Sequence, residues 1–156
     1  MALVKMKKLL EQAETEGFGI GAFSVGNMEM IMGAVQAAEE LQTPIILQIA
    51  EVRLKNSPLE FVGPMMVSAA QKAKVDIAVH LDHGLTIETV KAALNMGFTS
   101  VMLDASASPF EENISKTREV VQLAKAFGAT VEAELGLVGG SEDGSSDHGI
   151  NCTNPY

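Results

Sequence analysis

The chain has 156 residues, which is the length of one ordinary domain. Apolar residues make up 47% and charged residues 20%, so wholesale disorder is excluded. The net charge of −9 lacks the basic excess of a nucleic-acid-binding protein. No apolar run approaches the roughly 18 residues of a membrane span, the N-terminus does not look like a signal peptide, and one cysteine excludes an internal disulfide. We therefore expect a cytoplasmic α/β protein that binds neither nucleic acid nor membrane.

Strand-like and helix-like segments alternate along the chain. Asn27 and Thr86 have the side chains of helix N-caps, and a capping box is predicted from Ser108. Gly97 and Gly128 are placed to end helices. The predicted elements are, in chain order, helix 4–17, strand 19–25, helix 28–42, strand 45–50, helix 58–74, strand 76–81, helix 87–96, strand 100–103, helix 109–127 and strand 130–135.

The methionines of the chain fall at helical spacing and are expected to fill the core. In the second and third helices, apolar side chains recur every three or four residues, as on one face of a helix. They are Met28, Ile31, Ala34, Val35 and Ala38 in one helix, and Phe61, Met65, Met66, Ala69 and Ala73 in the next.

Alternating strands and helices predict a parallel sheet with right-handed crossovers. Two architectures fit: an open doubly wound sheet, and part of a (β/α)8 barrel, which needs about 250 residues when complete. The chain has no nucleotide-binding glycine motif to support the first. Residues 1–156 are predicted to form a single domain. Within it, residues 137–150 are rich in glycine and serine and are predicted to form a mobile loop beside the active site.

Acidic residues lie at the carboxyl ends of three neighbouring predicted strands. Asp82, Asp104 and Glu134 each close an apolar run, and His83 follows Asp82 directly. Parallel strands bring these ends to one rim, where both architectures place their active sites. The cluster therefore predicts a cation site, although Asp82 taken alone could instead cap the following helix or turn.

Other candidate residues have less specific interpretations. His80 lies inside its strand, and a hydrogen-bonded core histidine is the favoured interpretation. Glu132 shares a strand face with Glu134, so it could support the site or pair with a neighbouring charge. His148 is interpreted as a solvated loop residue, and Cys152 as chemically inert because no basic partner is evident.

Four separated stretches together resemble the class II, zinc-dependent ketose-bisphosphate aldolases, which include the fructose- and tagatose-bisphosphate aldolases. The resemblance covers nearly the whole chain and implies a (β/α)8 barrel with a catalytic zinc ion. We expect this chain to supply about the first five strands with their helices and a leading N-terminal helix. The stretches are residues 78–84 (AVHLDHG), 100–106 (SVMLDAS), 110–114 (FEENI), and 131–136 (VEAELG) followed by 138–140 (VGG).

The resemblance also implies residue roles. Asp82 resembles the acid/base that handles the C4 hydroxyl proton, and His83 resembles a zinc ligand. Asp104 and Glu134 resemble acids near the metal that serve an alternative position or a second, divalent or monovalent cation. Glu142 falls in the loop that supplies an acid for the enolising carbon in the family.

The implied reaction is the cleavage or formation of a ketose 1,6-bisphosphate, with dihydroxyacetone phosphate and an aldehyde phosphate as the other partners. Ser24 and Ala50 lie at the expected substrate rim, where many relatives have Asn and Ser or Thr. These two differences leave the sugar preference open.

The family carries two further zinc-binding histidines and its phosphate loops on later strands. We therefore expect this chain to be the N-terminal portion of an aldolase, with exposed edges on its first and fifth strands. Such a chain should form a homo-oligomer or associate with the missing barrel half. The alternatives are a non-catalytic barrel-like subunit that stabilises a partner aldolase, and a different metal enzyme on the same scaffold.

Overall fold

The computed structural model describes residues 2–136 of the chain. Helices and strands alternate through this range, as the sequence predicts. A short 3-10 turn, Glu51–Arg53, is the one additional helical segment among the described residues. The elements are α1 (Met6–Glu16), β1 (Gly21–Ser24), α2 (Met28–Leu41), β2 (Ile45–Ala50), α3 (Leu59–Lys72), β3 (Ile77–Gly84), α4 (Ile87–Asn95), β4 (Ser100–Leu103), α5 (Phe110–Phe127) and β5 (Thr130–Glu132).

The five strands form one parallel sheet in the order β1-β2-β3-β4-β5. A doubly wound sheet reverses its strand order at a switch point, and this sheet does not. The consecutive order is the one found in a (β/α)8 barrel. Within the described residues, β1 and β5 each pair with a single neighbour, and all four residues of β1 are exposed.

The two faces of the sheet have different partners because side chains alternate along each strand. Ile45, Leu47 and Ile49 belong to the main core under the outer helices. Ile46 and Ala78 face the other way and pack in a smaller cluster, to which α1 contributes two buried residues, Met6 and Leu9.

The inner face becomes polar beyond this small cluster. The register places Gln48 beside His80 and His80 beside Ser100, while Ala50 lies opposite Asp82. The leading helix thus packs against the inner face near the strand starts. The polar residues lie farther along the strands, towards their carboxyl ends.

Most predicted boundaries agree with the structure to within two residues, and the ends of two strands differ by three. Strand β3 continues to Gly84, so Asp82 and His83 lie within the strand and not after it. Strand β5 ends at Glu132, so Glu134 follows the strand in irregular backbone.

The predicted helix caps are confirmed in two cases of three. The Asn27 side chain accepts a hydrogen bond from Met30 N, and Thr86 accepts one from Thr89 N. The cap predicted at Ser108 is wrong, because its Oγ lies 3.3 Å from a side-chain oxygen of Glu112 and the N-cap position is Pro109.

The prediction that the methionines fill the core is partly wrong. On α3, Met66 is buried but Met65 is exposed, and Phe61 is 66% exposed whereas Val62 is buried. The helix carries apolar residues around much of its circumference, so their spacing alone does not select the face that packs. Met28 at the start of α2 is likewise exposed.

Among the described residues, none of the helices combines the length and the apolar character that a membrane span requires.

Candidate metal centre

The end of β3 has an unusual backbone that presents two side chains in succession at the rim. The pairing of β3 with β4 shifts register between Leu81 and Gly84. Within this irregularity, His83 has a φ of 40°, in the left-handed region that non-glycine residues rarely adopt. The next residue is Gly84, and this position requires glycine because a Cβ there would collide with the backbone oxygen of Met102. The Gly84 carbonyl accepts a hydrogen bond of 2.8 Å from Asp104 N.

His83 and Asp104 form an ion pair between β3 and the residue that follows β4. His83 Nδ1 lies 2.9 Å from Asp104 Oδ2. This hydrogen bond is the main reason that the pKa of His83 is raised to about 9 and that of Asp104 is lowered to about 2. The other carboxylate oxygen of Asp104 accepts hydrogen bonds from Ser106 N at 2.9 Å and Ser106 Oγ at 2.7 Å. Asp104 is thus oriented from both sides.

Glu134 completes a cluster of three candidate ligands. One ligand atom each from His83, Asp104 and Glu134 lies within 4.8 Å of the others. The backbone next to this carboxylate is anchored, because Nδ2 of the buried Asn113 on α5 donates a 2.8 Å hydrogen bond to Glu134 O. An imidazole with two carboxylates is a donor set that zinc and other divalent cations accept, so these residues fit a metal ion.

Asp82 lies beside this cluster and is linked across the sheet to β1. Gln48 Nε2 donates to Asp82 Oδ2 at 2.9 Å and lies 3.3 Å from Ser24 Oγ. Gln48 therefore connects the predicted acid/base to the predicted substrate-rim residue. The alternative that Asp82 caps α4 is wrong, since Thr86 occupies the cap position.

His80 is the core histidine that the sequence predicts. Its side chain is only about 2% exposed, and its Nδ1 lies 2.8 Å from Ser100 Oγ. Its Nε2 lies 3.3 Å from Glu132 Oε2, yet the direction is unsuitable and no hydrogen bond forms. Burial lowers the pKa of His80 to about 4, and burial also raises the pKa of Glu132. Glu132 therefore lies next to a neutral histidine, and both interpretations of its role stay predictions.

The structure thus brings five of the six predicted site residues to one rim. His83, Asp104 and Glu134 cluster, with Asp82 adjacent and Ser24 linked through Gln48. Glu142 lies outside the described residues, as do the predicted loop 137–150, His148 and Cys152.

Two residues that the sequence analysis did not identify as site residues position others. Gln48 was identifiable in principle, because it is the one polar residue in an otherwise apolar strand. Asn113 carries no comparable local signal, since polar residues are common on helices.

The comparisons with known proteins agree with this geometry. The family model for class II fructose-bisphosphate aldolases matches residues 4–156 of the chain. The chain belongs to this family. The resemblance inferred from the motifs is therefore confirmed over nearly its full length.

Curated aldolases are similar to the chain over about half of their own length. The fructose-bisphosphate aldolase of Giardia intestinalis is 44% identical over 92% of this chain and 45% of the relative. That of Thermus caldophilus is 46% identical over 90% of this chain and 46% of the relative. The chain thus spans about half the length of the curated aldolases that it matches.

A solved aldolase structure gives the same result in three dimensions. The YdjI aldolase of Escherichia coli K12 superposes with a TM-score of 0.83 at 42% identity. The match covers 88% of this chain and 52% of that aldolase. The predicted α/β fold is confirmed, and its five consecutive parallel strands are consistent with part of an aldolase barrel.

Proposed function

We propose that this chain carries part of an aldolase active site, namely the part that contains Asp82 and the metal ligands. The complete site would cleave a ketose 1,6-bisphosphate. The observation that supports this proposal most directly is the cluster of His83, Asp104 and Glu134, with Asp82 next to His83 in β3. Family membership supports aldol chemistry, and the cluster supplies donors for the metal on which such chemistry depends. Because these substrates are soluble sugar phosphates and one cysteine precludes an internal disulfide, we also propose a cytoplasmic location.

The proposed metal ligand is His83, with Asp104 and Glu134 as further ligands at the same or an adjacent cation position. A bound zinc ion would act as a Lewis acid towards the substrate carbonyl and hydroxyl oxygens. To bind a metal, the protonated His83 ring must lose one of its two N–H protons, and the hydrogen bond to Asp104 opposes this loss because it raises the pKa of His83. The carboxylates of Asp104 and Glu134 would then compensate the positive charge in a partly buried setting.

Asp82 is the proposed acid/base. In the cleavage direction, its carboxylate takes the C4 hydroxyl proton, the C3–C4 bond breaks, and C4 becomes the carbonyl of the aldehyde phosphate. The electron pair remains on the dihydroxyacetone phosphate fragment as an enolate, which is then protonated at C3. Gln48 orients the Asp82 carboxylate through its 2.9 Å hydrogen bond, and Glu142 is the proposed acid for the second proton.

The chain should act together with further barrel strands. Within the described residues β1 and β5 pair on one side only, and unpaired edges favour association. We propose either a homo-oligomer or a complex with a second barrel half. A non-catalytic subunit that stabilises a partner aldolase is the second candidate, which the unpaired edges also support.

Cleavage assays with paired variants test the proposal. Fructose and tagatose 1,6-bisphosphates are incubated with the chain in its associated form, with zinc and with a chelator. We expect cleavage that the chelator removes and that D82N lacks. D76N makes the same substitution just before the other end of β3 and should retain activity, because Asp76 bonds Lys8 far from the rim. Cleavage by D82N at the rate of D76N would contradict the acid/base role.

A further inference from the structure

One carboxylate outside the metal cluster makes four hydrogen bonds to the segment that follows His83. Glu51 begins the 3-10 turn after β2. Its Oε2 accepts from Leu85 N at 2.6 Å and from Thr86 N at 3.2 Å. Its Oε1 accepts from Thr86 Oγ1 at 3.3 Å and from Thr89 Oγ1 at 2.7 Å. Glu51, which directly follows β2, therefore binds the connection from β3 to α4.

The hydrogen bonds of Glu51 lie next to the strained backbone of the site. A positive φ at a non-glycine residue persists only where the surroundings hold it in place, and His83 has a φ of 40°. On the β4 side, Asp104 N holds the Gly84 carbonyl. On the β2 side, Glu51 holds the two amides that come next in the chain. The turn at His83 and Gly84 is thus fixed from both neighbouring strands.

An ordinary capping role does not account for these contacts. The Thr86 side chain already caps α4 by accepting from Thr89 N at 3.1 Å. The shortest backbone contact of Glu51 is instead to Leu85 N, which precedes the cap and directly follows Gly84. Glu51 therefore acts on the connection itself as well as on the first turn of the helix.

We propose that Glu51 is a positioning residue for the metal site. Its carboxylate holds the connection after Gly84, and this keeps the backbone of His83 in the conformation that directs the imidazole towards Asp104 and Glu134. The inference rests on the proposed metal site, and it adds a residue that touches neither metal nor substrate.

The chain offers a matched control at the opposite end of the sheet. Glu39 on α2 also accepts a backbone hydrogen bond through its carboxylate, from Lys74 N at 2.9 Å. Lys74 lies before the start of β3, away from the rim. E39A therefore removes a similar long-range carboxylate contact without changing the metal site.

The first measurement is zinc affinity by competition with a chromophoric chelator, for wild type, E51A and E39A. We expect E51A to bind zinc at least about tenfold more weakly than E39A, as for other residues that orient metal ligands. E51Q keeps one acceptor oxygen and should lie between E51A and wild type. Equal affinities of E51A and E39A would overturn the proposal. If E51A does not fold, E51Q against E39Q makes the same comparison.

A second readout separates this inference from the proposed function. Hydrogen exchange reports on the amide of Asp104, which bonds Gly84 O on the far side of the turn. We expect E51A to speed exchange at Asp104 at least about tenfold beyond E39A. Faster exchange at Leu85 with an unchanged Asp104 amide would overturn the positioning role. A wild-type chain that binds no zinc would contradict the metal site, and the Asp104 amide would then decide the role of Glu51.

Discussion

His83 Nδ1 lies 2.9 Å from Asp104 Oδ2, which joins the end of β3 to the residue that follows β4. The two residues are 21 positions apart in the chain and meet because their strands are parallel neighbours. Ser106 fixes the second oxygen of Asp104, so the carboxylate has little freedom to turn away from the imidazole. Two of the three proposed ligands are therefore preorganised by the protein itself.

Substitution of Asp104 should weaken metal binding strongly. D104N removes a charged metal ligand and the carboxylate that orients His83. We therefore expect zinc affinity to fall by about 10- to 100-fold. S106A removes one hydrogen bond to Asp104 Oδ1 and leaves the carboxylate in place, so its effect should be smaller. Isothermal titration with zinc gives both values. Wild-type affinity in D104N would exclude Asp104 as a ligand.

Loss of Gln48 should lower turnover more than it lowers substrate affinity. Q48L removes the donor that orients Asp82 Oδ2, and a hydrogen bond to a charged group contributes about 1.5–3 kcal/mol, or roughly 10- to 100-fold in rate. S24A removes only the longer contact of 3.3 Å and should cost less. Steady-state kinetics of the associated chain separates kcat from KM. A Q48L variant with unchanged kcat would show that Asp82 does not depend on this bond.

The buried His80 should make the chain less stable in mild acid. Its pKa is about 4 in the folded chain against 6.5 when exposed, so the unfolded state takes up the proton first. Its contribution to stability is complete above pH 6.5 and falls as the pH drops towards 4, by at most about 1.4 kcal/mol per pH unit. Urea unfolding across this range measures the slope.

The variant H80N isolates this effect. Its amide can keep the bond to Ser100 Oγ but does not titrate, so we expect a shallower dependence on pH than in wild type. Glu132 has a raised pKa and acts in the opposite sense, because the folded state binds its proton more tightly. E132Q removes this opposing titration and therefore serves as the control. Identical slopes of stability against pH in H80N and wild type would contradict the assignment of the acid effect to His80.

Two glycine substitutions should have opposite effects on stability. A Cβ at Gly84 would meet the backbone oxygen of Met102, so we expect G84A to lose about 1–3 kcal/mol of unfolding free energy. Gly33 lies within α2 with nothing near its added Cβ, so G33A should gain about 0.4–1 kcal/mol. Thermal unfolding ranks the variants. A G84A variant as stable as G33A would show that the β3–β4 irregularity yields easily.

Local patterns of the sequence were sufficient for the alternation of elements and for the caps at Asn27 and Thr86. These features depend on neighbours within a few residues, which the sequence contains directly. The rim position of Asp82, Asp104 and Glu134 was also predictable, because parallel strands bring their carboxyl ends together whatever the detailed register. The ordered motifs around these residues identified the family.

Only the tertiary structure decided how these residues are held. The hydrogen bonds from Gln48 to Asp82 and from Leu85 N to Glu51 span 34 positions each, and they depend on which strands are neighbours and in what register. The left-handed backbone of His83 has no local signal, since glycine follows it and does not occupy it. The packed face of α3 likewise follows from where the sheet lies, because its apolar residues surround the helix and the sequence leaves several faces equally suitable.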